Sequence, residues 1–431
     1  MKKGRWKAVA EKLEEKLQFL KLEDDADLED EIQIEEESLS SGSIFQEELP
    51  EDDLEERLAH NRRWVFRRRA ALAVLAAAIV GGFVLYNHFH MFDDYIIAQS
   101  HKIETASGSQ YQAAGKNLYR YNSDGISCVT RENELKWSIT YNMQAPIADM
   151  CGDTMAVAEQ QGNQVYVVNK DGLVGSFETL LPIIKVRVSR QGVVAVVLQE
   201  ENVTWISLYQ ADGTSIADVK ATMTESGYPL DIDLSPDGQK LMVSYLSITE
   251  GNMSSSVVFY HFGSAGQADN DHVAGTQSYT QTVIPEVYFT DNERAVAVAD
   301  NGFKVFKGAD KPKQTEEVTF DTEILGTFHD DEAIGFLFGS EEEGFAYRME
   351  MYNYRGRKKA SKNINAEFEQ IKMQNGQILM YSARNCEIFT TSGVHRFSCG
   401  YEKDIEDIFY FSEFRKYLVI TDDSFDRIRI S

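Results

Sequence analysis

Positive charge is scarce in this sequence. Lys and Arg number 43 against 69 Asp and Glu, a formal net charge of −26 over 431 residues. A surface of that sign repels phosphate, so nucleic acid is disfavoured as a partner. The common chemistry-bearing motifs are missing too. There is no HExxH, no GxSxG and no phosphate loop. No nucleophile–base pair and no metal-ligand spacing stands out. No catalytic, cofactor-binding or metal residue is therefore assigned, and the expectation is a non-enzymatic protein without cofactors.

The deficit of positive charge is uneven. Residues 1–60 carry −12, residues 61–69 carry +5, and residues 70–431 carry −19. The basic island borders the one long apolar run, Ala70–Phe89, AALAVLAAAIVGGFVLYNHF, which holds no Asp, Glu, Lys or Arg. At the helical rise, such a run spans roughly 30 Å, about one bilayer core. Arg62, Arg63, Arg67, Arg68 and Arg69 form a basic juxtamembrane cluster at 62–69, and Asp93 and Asp94 follow the run. Cytoplasmic flanks retain Lys and Arg, so a single transmembrane helix at 70–89 is expected, N-terminus inside and C-terminal domain outside the cell membrane. A cleaved signal peptide would begin near residue 1 instead. Gly81 and Gly82 form no GxxxG pair, so nothing favours a helix dimer.

Ahead of this run, residues 1–21 place Trp6, Val9, Ala10, Leu13, Leu17 and Leu20 on one helical face. Two readings stay open: a solvent-exposed helix, or one that docks on a partner or the membrane surface. Residues 22–61 are acidic, with no basic residue from Leu22 to Glu56. So little apolar surface cannot offset ordering entropy, and the segment is expected to be disordered and cytoplasmic. Ser38–Phe45 interrupts the acid, either within an inert tether or as a recognition motif for a cytoplasmic partner.

From 95 to 431 the helical period gives way to short runs of β-branched and aromatic residues between Gly-containing turns. One type is apolar throughout: Met155–Ala158, Val193–Leu198, Leu241–Tyr245, Ala295–Ala299, Ile334–Phe338, Ile378–Tyr381 and Tyr417–Ile420, with Gln110–Ala114 a weaker eighth. Continuous apolar strands are buried on both faces. Each is followed by an alternating strand, from Leu118–Tyr121 to Arg427–Ile430. Glycines at 125, 172, 213, 263, 308, 356 and 393 then recur at intervals of 37 to 50 residues, taken as equivalent hairpin turns. About four strands per 45 residues is the period of a β-propeller, so an all-β domain of eight blades is predicted, with seven the alternative. The last unit stops at Ser431 without its outer strand. Tyr95–Thr105 has no earlier partner, and is predicted to supply that strand and close the ring.

The stretches NLYRYNSDGIS (117–127), IADMCGDTMAVA (147–158), SRQGVVAVVLQEENVTWISLY (189–209), SGYPLDIDLSPDGQKLMVSYL (226–246) and YLVITDDSFDRIRI (417–430) resemble a domain-of-unknown-function family of single-pass membrane proteins with an extracytoplasmic β-propeller, from Gram-positive anaerobes. The resemblance covers roughly residues 70–431 and places the domain in the broad WD40/quinoprotein-like propeller superfamily. WD and GH dipeptides are absent, and only Glu134-Leu135-Lys136-Trp137 echoes the quinoprotein blade pattern. The resemblance implies fold and topology but no activity. The expected role is binding or scaffolding at the bacterial cell surface, with protein partners on a propeller face. The alternatives are an envelope hydrolase or lyase with its site in the channel, and a transmembrane signalling receptor. Carboxylates or His facing the channel would favour the enzyme; an apolar rim would favour protein binding.

Four groups of residues invite a site and have a plainer explanation. Asp231, Asp233 and Asp237 before Gly238 look like a calcium loop, but Ser235-Pro236 interrupts the ligand spacing and a turn explains them. His88 and His90 with Asp93 and Asp94 read as an interfacial pair rather than a metal site. Asp330, Asp331, Glu332 and Glu341–Glu343 read as solvated loop charge. Cys386 and Cys399 are equidistant from Ser392-Gly393, so a two-residue hairpin would oppose them; a disulfide and buried free thiols both remain open.

Overall fold

The computed structural model describes residues 51–103, 108–201, 203–249, 251–266, 271–365 and 368–431. The helix expected at 1–21 and the acidic segment as far as residue 50, with its Ser38–Phe45 island, lie outside the described residues. The chain divides into two units, Met1–Gly82 and Phe83–Ser431.

In the first unit a helix begins at Glu51, inside the stretch expected to be disordered, and the helix as a whole runs Glu51–Phe89. Five of its first six residues are Asp or Glu, which complement the partial positive charge of a helix N-terminus. The Arg68 guanidinium stacks 4.1 Å from the Trp64 ring. Residues 70–80 are exposed in the isolated chain. Of the expected span, the side chains of Phe83, Val84, Leu85, Asn87 and His88 lie outside the described ones. Among the described residues no helix is long and apolar enough to cross a membrane.

The second unit is a β-propeller of eight four-stranded antiparallel sheets, which settles the blade number at eight. The innermost strands, in blade order, are Gln110–Ala114, Pro146–Cys151, Ile183–Val188, Tyr228–Leu234, Glu286–Phe289, Ile324–His329, Gln370–Gln374 and Ile405–Phe409. Neighbouring innermost strands touch along blades two to five, and again between blades six and seven. The continuous apolar runs are the second strands. Thr154–Glu159, Arg294–Ala299 and Lys416–Thr421 each bury five consecutive residues, because a second strand is covered on both faces by neighbouring blades. Each Val, Leu, Ile or Met so buried contributes about 1.5–3 kcal/mol.

Blade one departs from expectation. Gln110–Ala114 is its innermost strand, and Asn117–Asn122 is its second, with Gly125–Val129 the third. Arg120 broke the apolar run there and hid the second strand's identity. The Asp124-Gly125 turn therefore joins second to third strand and is not equivalent to Asp171-Gly172 or Asp212-Gly213, which join third to outermost. Gly125 is required by close approach instead: a Cβ there would lie 2.4 Å from the Ile139 carbonyl oxygen. In seven blades the third and outermost strands share a register shift near their turn. At Gly213 (φ 86°) and Gly393 (φ 82°) the positive φ matches a three-residue turn with a bulge rather than a two-residue hairpin.

That bulge restores the opposition expected in blade seven: Cys386 pairs with Cys399 across the strands. Both thiols are free. Burial pushes the Cys386 thiol well above its ordinary value.

Ring closure follows the prediction. Tyr95–Lys102 pairs antiparallel with Ser424–Ile430 and becomes the outermost strand of blade eight. A fully buried carboxylate locks it: Asp426 accepts from Ser100 Oγ at 2.5 Å and from Tyr401 Oη at 2.9 Å. Just upstream, Phe92 is buried and bridges in parallel to Phe397 of blade seven.

Candidate functional site

Several innermost strands set charged residues between apolar ones, and those of neighbouring blades meet. Asp149 comes from blade two, Lys185 and Arg187 from blade three, Asp231 and Asp233 from blade four, Glu286 from blade five, and Thr327 and His329 from blade six. Arg187 is the hub. Its guanidinium lies 3.1 Å from Asp231 and 3.8 Å from each of Asp149 and Asp233. Lys185 Nζ is 2.6 Å from Asp231. Across blades seven and eight, Lys372 pairs with Asp407, which also accepts from Tyr381 Oη at 2.7 Å.

The same carboxylates hold backbone of the next blade. Val188 N–H donates to Asp149 at 2.7 Å, Val287 N–H to Asp231 at 2.9 Å, and Phe289 N–H to Asp233 at 2.6 Å. Arg187 Nε donates in turn to the Ile232 carbonyl at 3.0 Å. The innermost strands of blades two to five are thus stitched each to the next by side chains that are themselves charge-compensated. Glu286 accepts from Thr327, lies 3.2 Å from His329 Nε2, and is held below the usual carboxylate range by those partners despite its burial. The His329 ring stacks 3.6 Å from Tyr288.

Three carboxylates here share two cations. Burial, then the neighbouring Asp149 charge, push Asp233 up to about 8, with Arg187 opposing. Burial likewise raises Asp149. By chemistry the ring offers a half-buried acid beside a guanidinium, a pair able to donate to or hold an anionic or carbonyl group entering the axis.

The residues singled out in the sequence divide. Asp231 and Asp233 reach the ring, but Asp237 stays in a turn, where it accepts from Ser235 Oγ at 2.6 Å while Gly238 takes φ 68°. Among the described residues no group of His, Cys, Asp and Glu has the arrangement of a metal site. His90 stacks on Tyr86 and meets Phe92 edge-on, and Asp94 accepts the Tyr95 N–H. His88 has its side chain outside the described ones. Asp330 is not free loop charge: it accepts from Glu332 and Ala333 in its own turn and from Gly376 N–H of blade seven. Trp137 ties blade one to blade two through the Lys170 carbonyl at 3.1 Å. Sequence reading missed Lys185, Arg187 and Glu286; the alternation K-V-R opposite D-I-D was the available signal.

A second feature lies on one end of the ring. Strand direction alternates within a blade, so the connections between blades and the hairpins joining second to third strands share one face. Leu180 and Met223 on inter-blade connections are exposed, Leu180 at 96%. So are Ile248 and Met253, paired across the hairpin tip of blade four, and Leu325 and Phe345 in blade six. Sequence patterning marked none of them, since isolated apolar residues in loops carry no period.

The chain belongs to a family of unknown function (DUF5711), whose model matches residues 88–430. No curated protein matches it. Among solved structures it is similar to BamB from Moraxella catarrhalis, at 8% identity and a TM-score of 0.47 over 78% of this chain and 100% of that one. Sqt1 of Saccharomyces cerevisiae is similar at 11% identity and a TM-score of 0.49, over 79% and 100%. Hydrazine synthase of Kuenenia stuttgartiensis is similar at 13% identity and 0.44, over 70% and 100%. None of these likenesses extends to function.

Proposed function

We propose that this protein is a non-enzymatic binding or scaffold protein, anchored in a bacterial cell membrane by the apolar run at 70–89, with its propeller outside the cell. The observation that carries the binding role is the set of exposed apolar side chains on one propeller face, Leu180, Met223, Ile248, Met253, Leu325 and Phe345. Apolar anchors ringed by polar loops suit a protein partner. The inner-ring carboxylates are compatible with this reading, because Asp149, Asp231 and Asp233 each accept a backbone N–H of the next blade. The anchor rests on the arginines at 62–69 and the length of the run, and the acidic segment at 22–61 would then face a cytoplasmic partner.

Crosslinked recovery of the intact protein from membranes, followed by comparison with Ile248→Lys/Met253→Glu, tests the binding role. Partners lost in the variant support it; partners recovered equally from both chains count against it. A second reading, an envelope hydrolase, is favoured by one observation, Asp233 lying 3.8 Å from Arg187 where burial pushes its carboxyl up to about 8. Turnover of cell-wall glycans, peptides or phosphoesters that disappears in Asp233→Asn would establish it.

A further inference from the structure

Three arginines distant in sequence converge beside Phe92, where the propeller begins. Arg415 lies 4.1 Å from the Phe92 ring centroid and 5.1 Å from that of Phe414. Arg396 lies 5.6 Å from Phe92. Arg429, opposite Ile96 in the closing strand, is exposed. Burial first, then Arg396 and Arg429, push Arg415 below the usual guanidinium value, with only Tyr86 opposing. Arg415 Nε is buried with no hydrogen-bond partner.

Acid is near but committed elsewhere. Glu413 is taken by Arg131, Lys416 and Arg427. Asp94 accepts the Tyr95 N–H, and among the described residues no ion pair joins Asp93 or Asp94 to Arg415. Among the described residues neither Arg415 nor Arg429 is in an ion pair. Arg415 and Arg429 thus place positive charge with no ion pair among the described residues, in a region of net charge −19, and that charge complements an external anion.

Apolar side chains flank it. Phe414 is 59% exposed, and Met91 and Phe89 are exposed on the connector. Phe89 ends the helix that carries the apolar run, so the cluster and the run are neighbours along the chain. Guanidinium groups with exposed aromatic and thioether side chains match the phosphate and acyl boundary of a bilayer.

We infer that Arg396, Arg415, Arg429 and Phe414 form a docking patch for anionic lipid headgroups, which holds the propeller against the outer membrane surface. This rests on the anchored reading above. Protein or soluble polyanion partners are the alternative occupants and are separated by the test.

The full chain carrying Phe414→Trp is reconstituted into phosphatidylcholine vesicles with brominated acyl chains, with and without phosphatidylglycerol. Fluorescence of the added indole, as the difference from the parent chain, reports contact with lipid. Quenching is expected with phosphatidylglycerol and little without it. Each of Arg415→Gln and Arg429→Gln is expected to lower the docked-to-undocked ratio about fivefold. Arg429→Gln alters an exposed side chain and keeps the test valid if Arg415→Gln misfolds. Flotation after alkaline carbonate reads the anchor separately. A chain that floats with its indole unquenched, or quenched regardless of phosphatidylglycerol and the arginines, overturns the patch and leaves the anchor standing. A chain that does not float overturns the anchor. The patch then survives only if phosphatidylglycerol vesicles added to the protein quench the indole in an arginine-dependent way.

Discussion

The inner ring and the arginine cluster at Phe92 both gather charge, and they treat it oppositely. In the ring, Arg187 faces Asp149, Asp231 and Asp233, and those carboxylates also hold backbone N–H groups of the next blade. At Phe92, Arg415 is pressed by Arg396 and Arg429. Buried charge is tolerated only with partners, so the first arrangement is complete in itself. In the second, Arg415 and Arg429 have no ion pair among the described residues. The difference separates charge that joins blade to blade from charge that stands without a carboxylate of its own among the described residues. A polar channel is therefore no sufficient sign of catalysis, and a small basic patch in an acidic domain is a sharper pointer to contact.

Closure is the frame for both regions, and breaking it should have the largest effect. A chain starting at Gly108 lacks the strand Tyr95–Lys102, exposing the edge at Ser424–Ile430 and leaving Asp426 without Ser100. The expected loss is a major share of a total stability of about 5–15 kcal/mol, seen as aggregation or loss of a cooperative melt. A chain starting at Met91 keeps Phe92 and should melt like the intact propeller. Equal melting of the two would deny the strand its role.

The next effect sharpens the contrast within the ring. Arg187→Met removes the shared cation and leaves three carboxylates facing one another. A cost of about 3 kcal/mol is expected in urea unfolding. Adding Asp149→Asn and Asp233→Asn should return part of it, because the sites are coupled. If the single change costs nothing, the ring is not held by its charge.

Much of this frame was legible beforehand. Runs such as Val193–Leu198 betray second strands because nothing polar interrupts them. The orphan strand at Tyr95 betrayed closure because the last unit ended one strand short. The innermost strands were not legible. Asp231-Ile232-Asp233 and Lys185-Val186-Arg187 alternate like half-solvated strands, and only the opposition of neighbouring blades makes their charges internal. The Phe92 cluster was invisible for a different reason. Arg396, Arg415 and Arg429 meet only because blade seven lies against the closing blade, and local sequence carries no trace of that.

Asp233 gives the ring a pH dependence of definite sign. Its folded value of about 8 lies above the usual carboxylate range, so the native state holds a proton that the unfolded chain releases. The contribution is complete below about pH 4 and is lost as pH rises through about 8, at no more than about 1.4 kcal/mol per pH unit. Asp233→Asn mimics the neutral acid and should flatten stability against pH between about 5 and 8. An unchanged slope would assign the proton elsewhere, Asp149 first.

The smallest expected effect on stability belongs to the apolar face, and it completes the contrast. Ile248 and Met253 oppose each other at the hairpin tip of blade four, both exposed. Replacing them by Ile248→Lys and Met253→Glu removes no buried contact and introduces opposite charges directly across the strands, a favourable cross-strand pair. Stability should stay within about 0.5 kcal/mol. Partner recovery from membranes should nonetheless fall, because a charged pair at an apolar contact must be desolvated without a matched group. Unchanged melting with lost partners would mark this face as built for contact. Lost melting would show that the hairpin is part of the frame, and would return these residues to the side of the comparison where the inner ring stands.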